Sequence, residues 1–496
     1  MNGAKFIKQF LVYSQEEAEL VLVTGAAGFV ASWIILGCFQ RGFRVRGTVR
    51  NIQDEKKTQH LVDLARQFNG YIEFIEADLL SDSGWDAAVA DCPYIFHVAC
   101  PVPLVEPKNP DDVIKPAVDG TLRVLRAASR QDALPKRVVL TSSVTAMAFG
   151  VSCRKKVFTD TDWTCVNSPK YPLTAYPLAK TLAEKAAWDF LAGLSPSRRF
   201  EMVSVNPTFA VGPMLSTNNC SSATIMRKIL TAEIPGLCNM TFDMVSVIDV
   251  ARVHLLVLTH PQAAGKRFLV QSTQISMQDM ALVLKEEFSP HGYTPSTTVV
   301  PDWILRAVAL GGDLEVKSVV PILGVTRVYD TNNMRTVLGF QPRTDVDAKG
   351  LILEMVYAGL HAGVIPDKSK NNSLSSSYVR PYFDIVPSGG SGSTSTSTHL
   401  CNESSRLPLS STTLNHMDES SGSGSRDAVY LQMEVLQKKF ALMEDKLEKV
   451  SAELVESKLQ VSTLRVALQF LPLVVAALLS IAFVYRSCYQ SFIFSA

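Results

Sequence analysis

The stretch LVLVTGAAGFVA, residues 20–31, decides the reading of the fold. Its first four residues are all leucine or valine, the composition of a strand covered on both faces. Two glycines follow, Gly25 and Gly28, and then a helical stretch begins. Gly25 permits a tight turn, and Gly28 lets backbone come close to a bound group. A helix that opens at such a turn presents unpaired N–H groups and the positive end of its dipole, which suits a pyrophosphate. Ala31 is small enough for close helix–strand packing where a third glycine is common.

Working outward, strand-like runs recur as RVRGTV, YIEFIEADL, YIFHVA, RVVLTSS, MVSVNP and KRFLVQ. Between them lie stretches with helical apolar spacing, such as DDVIKPAVDGTLRVLRAAS and LTAYPLAKTLAEKAAWDFL. This alternation predicts an α/β fold: a Rossmann-type, doubly wound parallel sheet with ligands at the carboxyl ends of its strands. A smaller substrate-binding part is expected after it. The 496 residues are 47% hydrophobic and 19% charged, enough apolar side chain for a sizeable core. Lys and Arg number 48 against 47 Asp and Glu, a net charge of +1 that gives no reason to expect a nucleic-acid partner. The nine cysteines are odd in number, without C-x-x-C spacing, which predicts a reduced compartment and no metal site. The opening residues lack the apolar core of a signal peptide.

The second strand ends in RVRGTVRN. An NAD site commonly places Asp or Glu there to hold the ribose hydroxyls. This chain has Arg50, followed by Lys56 and Lys57. A guanidinium matches a 2′-phosphate through paired charge-assisted bonds, so NADP(H) is expected, with NAD(H) the alternative. Asp78 and Leu79 end the third strand, where adenine would lie.

Three groups suit carbonyl reduction. Tyr176 and Lys180 stand four residues apart in YPLAK, on one face of a helical pattern. Ser143 ends the strand RVVLTSS. A tyrosine with an ordinary pKa of about 10 is a poor acid–base partner at neutral pH. A nearby ammonium favours the phenolate and is expected to lower that value. The serine hydroxyl can hold the carbonyl oxygen where charge develops.

In that order the motifs become recognisable. Residues 20 to about 362 resemble the extended short-chain dehydrogenase/reductase superfamily, in particular its dihydroflavonol reductase and cinnamoyl-CoA reductase branch. The resemblance rests on VTGAAGFVASW, GTVRN, YIFHVACPV, VIKPAVDGTLRVLRAA, RVVLTSS, YPLAKTLAEKAAW, NPTFAVGPML and VIDVARVHLLVL. It implies that Gly25, Gly28 and Phe29 line the pyrophosphate, and that Arg50 and Lys57 meet the NADP 2′-phosphate. Asp78 and Leu79 would frame the adenine, with Val98 and Ala99 on the cofactor's ribose side. Ser143, Tyr176 and Lys180 match the catalytic triad, Lys180 also bonding the nicotinamide ribose. Pro207 and Thr208 would border the nicotinamide, and Ser222 aligns with a late cofactor contact. Cys100 departs from the family's Thr or Ser.

The substrate is weakly specified. Its pocket is expected from Pro101 to Glu106, the 144–170 loop and segments after Pro213, with Phe149 and Trp163 as apolar lining. Cys153 and Cys165 are read as packing or loop residues rather than a redox pair. A 3β-hydroxysteroid or sterol dehydrogenase on the same fold is the alternative activity. A non-catalytic, cofactor-sensing membrane tether is a third reading, and the intact triad speaks against it.

The chain divides by composition into an N-terminal extension (1–17), the nucleotide-binding unit (18–363), a Ser/Thr/Gly-rich linker (364–426) and three C-terminal segments. Residues 427–465 form a heptad stretch. One seam holds Met433, Phe440, Leu447, Leu454 and Val461, and the other Val429, Leu436, Met443, Val450, Ser457 and Leu464. A parallel homodimeric coiled coil over 429–464 is expected. Residues 466–485 carry no charge and, at about 1.5 Å per residue, are long enough for a bilayer core of about 30 Å. Only residues 486–496 follow, the pattern of a tail anchor with the enzyme in the cytosol. The endoplasmic reticulum is the expected membrane and the mitochondrial outer membrane the alternative. That topology leaves the sequons at Asn219, Asn239, Asn371 and Asn402 unused.

Overall fold

The computed structural model describes residues 8–10 and 18–377, apart from 102–105, 151–156, 170, 219, 235, 312–313 and 370–372. The expected coiled coil, the apolar run 466–485 and most of the linker lie outside the described residues.

The expected parallel sheet is present. Seven parallel strands are β2 (Leu20–Val23), β3 (Arg44–Val49), β4 (Ile72–Glu76), β5 (Tyr94–His97), β6 (Arg137–Thr141), β7 (Glu201–Pro207) and β10 (Arg267–Val270). An edge strand that the sequence did not announce, β1 (Lys8–Phe10), pairs antiparallel with β4. The order across the sheet is β1-β4-β3-β2-β5-β6-β7-β10. The order reverses between β2 and β5, so the crevice at their carboxyl ends is the ligand position of a doubly wound sheet. Strand β2 is buried along its whole length, which accounts for its unbroken apolar run.

Helices α1 (Phe29–Gln40), α2 (Glu55–Gln67), α3 (Trp85–Val89), α4 (Asp111–Arg130), α5 (Ala175–Gly193) and α7 (Val247–Thr259) connect these strands. A three-stranded sheet, β8 (Phe209–Val211), β9 (Thr241–Ser246) and β11 (Thr273–Ser276), forms the smaller part with α6 (Ser221–Leu230), α8 (Met277–Phe288) and the later helices. Its own apolar cluster includes Met226, Met244, Leu284, Phe288 and Met355, and Phe29 packs against this cluster and the main core alike.

The packing continues past Gly363, the boundary expected from composition. Ile365 is fully buried, and Tyr293 donates its hydroxyl to the Pro366 carbonyl at 2.6 Å. Asp367 then accepts the Ser375 N–H at 2.7 Å, and Leu374 is buried. Two apolar residues separated by polar ones suffice to dock this short tail, and composition averaged over a window does not register them. Among the described residues no helix is long and apolar enough to cross a membrane.

Candidate active site

The residues expected to hold a dinucleotide stand at the carboxyl ends of adjacent strands. After β2, Gly25 takes φ +65°, the left-handed region that side chains avoid. A Cβ there would also meet the Ala99 Cβ at 3.1 Å. The Gly25 N–H donates to the Thr48 hydroxyl at 3.0 Å. Gly28 is the N-cap of α1, makes no side-chain cap bond, and is followed by no acidic residue in the first turn. The helix end therefore keeps its donors and its positive dipole for an anion. These residues fit a pyrophosphate.

Thr24 joins this turn to the next strand. Its hydroxyl oxygen accepts the Val98 and Ala99 N–H groups, both at 3.0 Å. That leaves its proton for His97 Nδ1, 2.9 Å away, and turns Nε2 towards the Thr121 hydroxyl at 3.3 Å. Burial, and then Lys180, push the imidazole down to about 3, so His97 is neutral at physiological pH.

The remaining cofactor positions divide by exposure. Arg50 stands exposed at the end of β3, and no carboxylate occupies that strand end. Lys57 lies in the first turn of α2 and pairs with Asp54 at 3.1 Å, largely in solvent. Asp78 accepts the Leu80 N–H, and Leu79 offers its carbonyl to Arg123 at 2.6 Å while packing against Gly120. Pro207 ends β7, and the Thr208 N–H and hydroxyl both donate to the Val270 carbonyl. Ser222 is buried in α6 and donates its hydroxyl to the Ala210 carbonyl at 2.6 Å.

Ser143, Tyr176 and Lys180 converge beside this crevice. Tyr176 lies in the first turn of α5, with the Ser143 side chain near enough to act on its hydroxyl. One turn later, buried Lys180 donates Nζ to the Thr141 carbonyl at 2.8 Å. Burial pulls the lysine down, but Cys100, Tyr176 and Glu184 outweigh it, so Lys180 is held as an ammonium. The expectation of a lowered tyrosine is corrected. Burial raises the Tyr176 hydroxyl above its usual value, Cys100 adds to that, and the Lys180 charge and the Ser143 side chain offset only part of it. A phenol under cover loses more hydration than one ammonium returns. Behind Lys180 lies a cavity of about 10 Å3, bordered by His97, Thr121, Ser142 and Glu184, with room for a single water.

Phe149 and Trp163, expected as apolar lining, stack instead on guanidinium groups. Arg327 lies 4.0 Å above the Phe149 ring and Arg267 3.7 Å above Trp163. Cys165 is exposed, while Cys153 falls outside the described residues, as do positions 102–105 of the expected pocket wall. Next to Ser143, the buried Thr145 hydroxyl has no hydrogen-bond partner. The sequence reading missed Thr24, His97, Asn206, Glu184 and Arg267. Only Glu184 carried a local signal, four residues beyond Lys180 on the same helix face. Among the described residues no cluster of His, Cys, Asp or Glu could hold a metal ion.

Residues 21–270 match the NAD dependent epimerase/dehydratase family. The chain belongs to that family. Among curated proteins it is 36% identical over 271 residues to tetraketide alpha-pyrone reductase 1 of Arabidopsis thaliana, covering 54% of this chain and 81% of that one. It is 36% identical over 269 residues to a cinnamoyl-CoA reductase of Medicago truncatula, covering 52% and 78%. Among solved structures, yeast methylglyoxal/isovaleraldehyde reductase Gre2 with NADPH shares the fold at 24% identity and a TM-score of 0.56, covering 69% of this chain and 98% of that one. Vestitone reductase from alfalfa aligns at 25% identity with a TM-score of 0.53, covering 69% and 99%. This family member is an NAD(P)-dependent oxidoreductase, like its reductase relatives.

Proposed function

We propose that the protein reduces a ketone or aldehyde on a small, lipophilic molecule, with NADP(H) as its cofactor and Tyr176 as proton donor. The observation that carries this is the meeting of Ser143, Tyr176 and Lys180 at the carboxyl end of β6, beside the glycine turn. Arg50 at the end of β3, where a carboxylate would favour NAD, supports the phosphorylated dinucleotide. Structural neighbours solved with NADPH and the reductases among the relatives agree with it.

Gly25, Gly28 and the α1 N-terminus would hold the pyrophosphate, Arg50 and Lys57 the 2′-phosphate, and Lys180 the nicotinamide ribose. The bound cofactor supplies a hydride. Ser143 holds the carbonyl oxygen, and the Tyr176 hydroxyl gives that oxygen its proton as negative charge grows there. A raised Tyr176 keeps the hydroxyl protonated at neutral pH, ready to donate. The Lys180 ammonium then stabilises the phenolate left behind until solvent reprotonates it.

We infer further, from sequence pattern, that 466–485 anchors the chain in a membrane, with the catalytic unit on the cytosolic side. The endoplasmic reticulum is the expected membrane, and 429–464 would pair two chains in parallel. Support comes from the uncharged length of the first segment and the heptad of the second. The test of activity is a panel of aromatic aldehydes, dihydroflavonols and steroids, followed by NADPH absorbance with the purified full chain. Turnover of a carbonyl class that disappears in Tyr176→Phe supports the reading. Turnover that survives Tyr176→Phe contradicts it.

A further inference from the structure

Four residues beyond Lys180 on α5 sits a carboxylate that the proposed chemistry does not use. Glu184 is 1% exposed. Its oxygens accept from Arg267 Nε at 2.6 Å and Nη2 at 3.2 Å, from the Ser142 hydroxyl at 2.6 Å, and from the Ser204 hydroxyl and Asn206 Nδ2, both at 2.8 Å. Trp188 Nε1 adds a contact at 3.3 Å. Burial pushes this carboxyl up, yet the Arg267 guanidinium and the Ser142 and Asn206 bonds outweigh it, and the group stays ionised, below the usual carboxylate range.

What those donors do next matters more than their number. Asn206 also donates to the Ser143 carbonyl at 3.1 Å, and Ser142 is the residue before Ser143. Arg267 also reaches the Ala146, Asp160 and Asp162 carbonyls and stacks on Trp163. The Thr164 hydroxyl and N–H in turn fasten this loop to Thr145 and Ala146. The strand end bearing Ser143, the helix bearing Tyr176 and Lys180, and the 157–165 loop therefore meet at one buried ion pair.

We propose that Glu184 is the positioning residue of this site, holding Ser143 in register with the Tyr176–Lys180 helix and, with Arg267, balancing the charge those groups face. This deepens the reductase reading and rests on it. A buried ion pair adds little net stability, because desolvation offsets its attraction. Here it touches every element that contributes a reacting group. The charged and titratable groups facing the pair Tyr176–Lys180 are His97 at the end of β5, Cys100 after it, Glu106, which accepts the Ala175 N–H at 2.9 Å, and Glu184 on α5, with Arg267 from β10 behind Glu184.

The first arm of the test needs no substrate, and the kcat arm uses a carbonyl that the wild type turns over. Tyr176 ionisation is followed by phenolate absorbance in the full chain, as the difference from the same protein carrying Tyr176→Phe. Eight residues at about 1.5 Å rise separate Tyr176 from Glu184 by about 12 Å. At an effective dielectric of about 20, a unit charge at that distance moves a pKa by about one unit. Glu184→Gln leaves Arg267 unbalanced and is expected to lower the midpoint by about that amount. Arg267→Gln should raise it, and the double variant should return it close to wild type. Glu184→Asp keeps the charge and shortens the reach. It should keep the wild-type midpoint while kcat falls about tenfold and the NADPH Kd stays within about twofold. Should Glu184→Gln fail to fold, Arg267→Gln and Glu184→Asp still decide the matter. Folded variants with unmoved midpoints and unchanged kcat overturn the proposal. Midpoints that move as expected in a protein that reduces no carbonyl would uphold the network and remove the reductase reading instead.

Discussion

The two flanks of the crevice are built from different materials. On the glycine-turn flank, the groups that would meet a cofactor are backbone N–H groups, a left-handed glycine and one threonine hydroxyl that gathers two amides. On the tyrosine flank, a buried carboxylate collects an arginine, two hydroxyls and an amide from three strands. The first flank works by leaving room and leaving donors unused. The second works by gathering donors around a fixed charge. Damage to the first should therefore appear in cofactor affinity, and damage to the second in turnover.

The largest effect expected is on the tyrosine flank. Tyr176→Phe removes the proton donor and should lower kcat by about 1,000-fold, with the NADPH Kd by fluorescence titration unchanged. A loss of NADPH binding in step with kcat would erase the distinction between the flanks. Next, Gly25→Ala places a Cβ at φ +65° and 3.1 Å from Ala99. A left-handed alanine costs about 1–2 kcal/mol, so the turn should shift, with Tm lowered and NADPH binding about tenfold weaker. Arg50→Ala should raise the KM for NADPH about tenfold by removing a charge-assisted phosphate contact. The KM for NADH should not move, and an equal rise for both cofactors would place Arg50 outside the 2′-phosphate site.

The smallest effect lies away from both flanks. Asp249 is fully buried in α7 and accepts the Arg343 N–H at 2.9 Å. Burial pushes its carboxyl up to about 6, against 3.8 for the free group, and the Arg343 and Arg252 contacts recover only part of that. A carboxyl raised in the folded state binds its proton more tightly there than in the unfolded chain. Its contribution is fully present below the unfolded value and is lost as pH rises through about 6. The Tm of wild type relative to Asp249→Asn should therefore increase as pH falls from 7 to about 4, by a few degrees. A flat difference would mean that Asp249 stays ionised throughout.

The same contrast explains what could be read from residue order. Gly25, Gly28, Arg50 and the Tyr176–Lys180 spacing are local patterns, each fixed by neighbours within a turn or a strand, and the structure brings them to one crevice. The seven parallel strands were legible for the same reason, since several of them, β2 above all, are near-continuous apolar runs set between helical stretches. The Glu184–Arg267 pair joins residues 83 positions apart, and nothing local distinguishes Arg267 from a solvated strand residue. Trp163 read as pocket lining because its hydrophobicity is visible in the sequence and the guanidinium stacked on it is not. The rise in the Tyr176 pKa was hidden because spacing shows the ammonium four residues away but not the depth at which the phenol sits. The docking of residues 365–369 and 373–375 was missed because Ile365 and Leu374 are single apolar residues within polar surroundings.

The central claim is that this crevice delivers a hydride to a carbonyl and leaves it there. Other chemistry in an epimerase/dehydratase family could instead take a hydride up and return it. The direct measurement uses NADPH deuterated at its hydride-donating carbon with an accepted carbonyl substrate, and reads the product by mass spectrometry and NMR. One deuterium on the former carbonyl carbon, with stoichiometric oxidised cofactor, is the predicted result. A rearranged, dehydrated or epimerised product without net cofactor oxidation would contradict it.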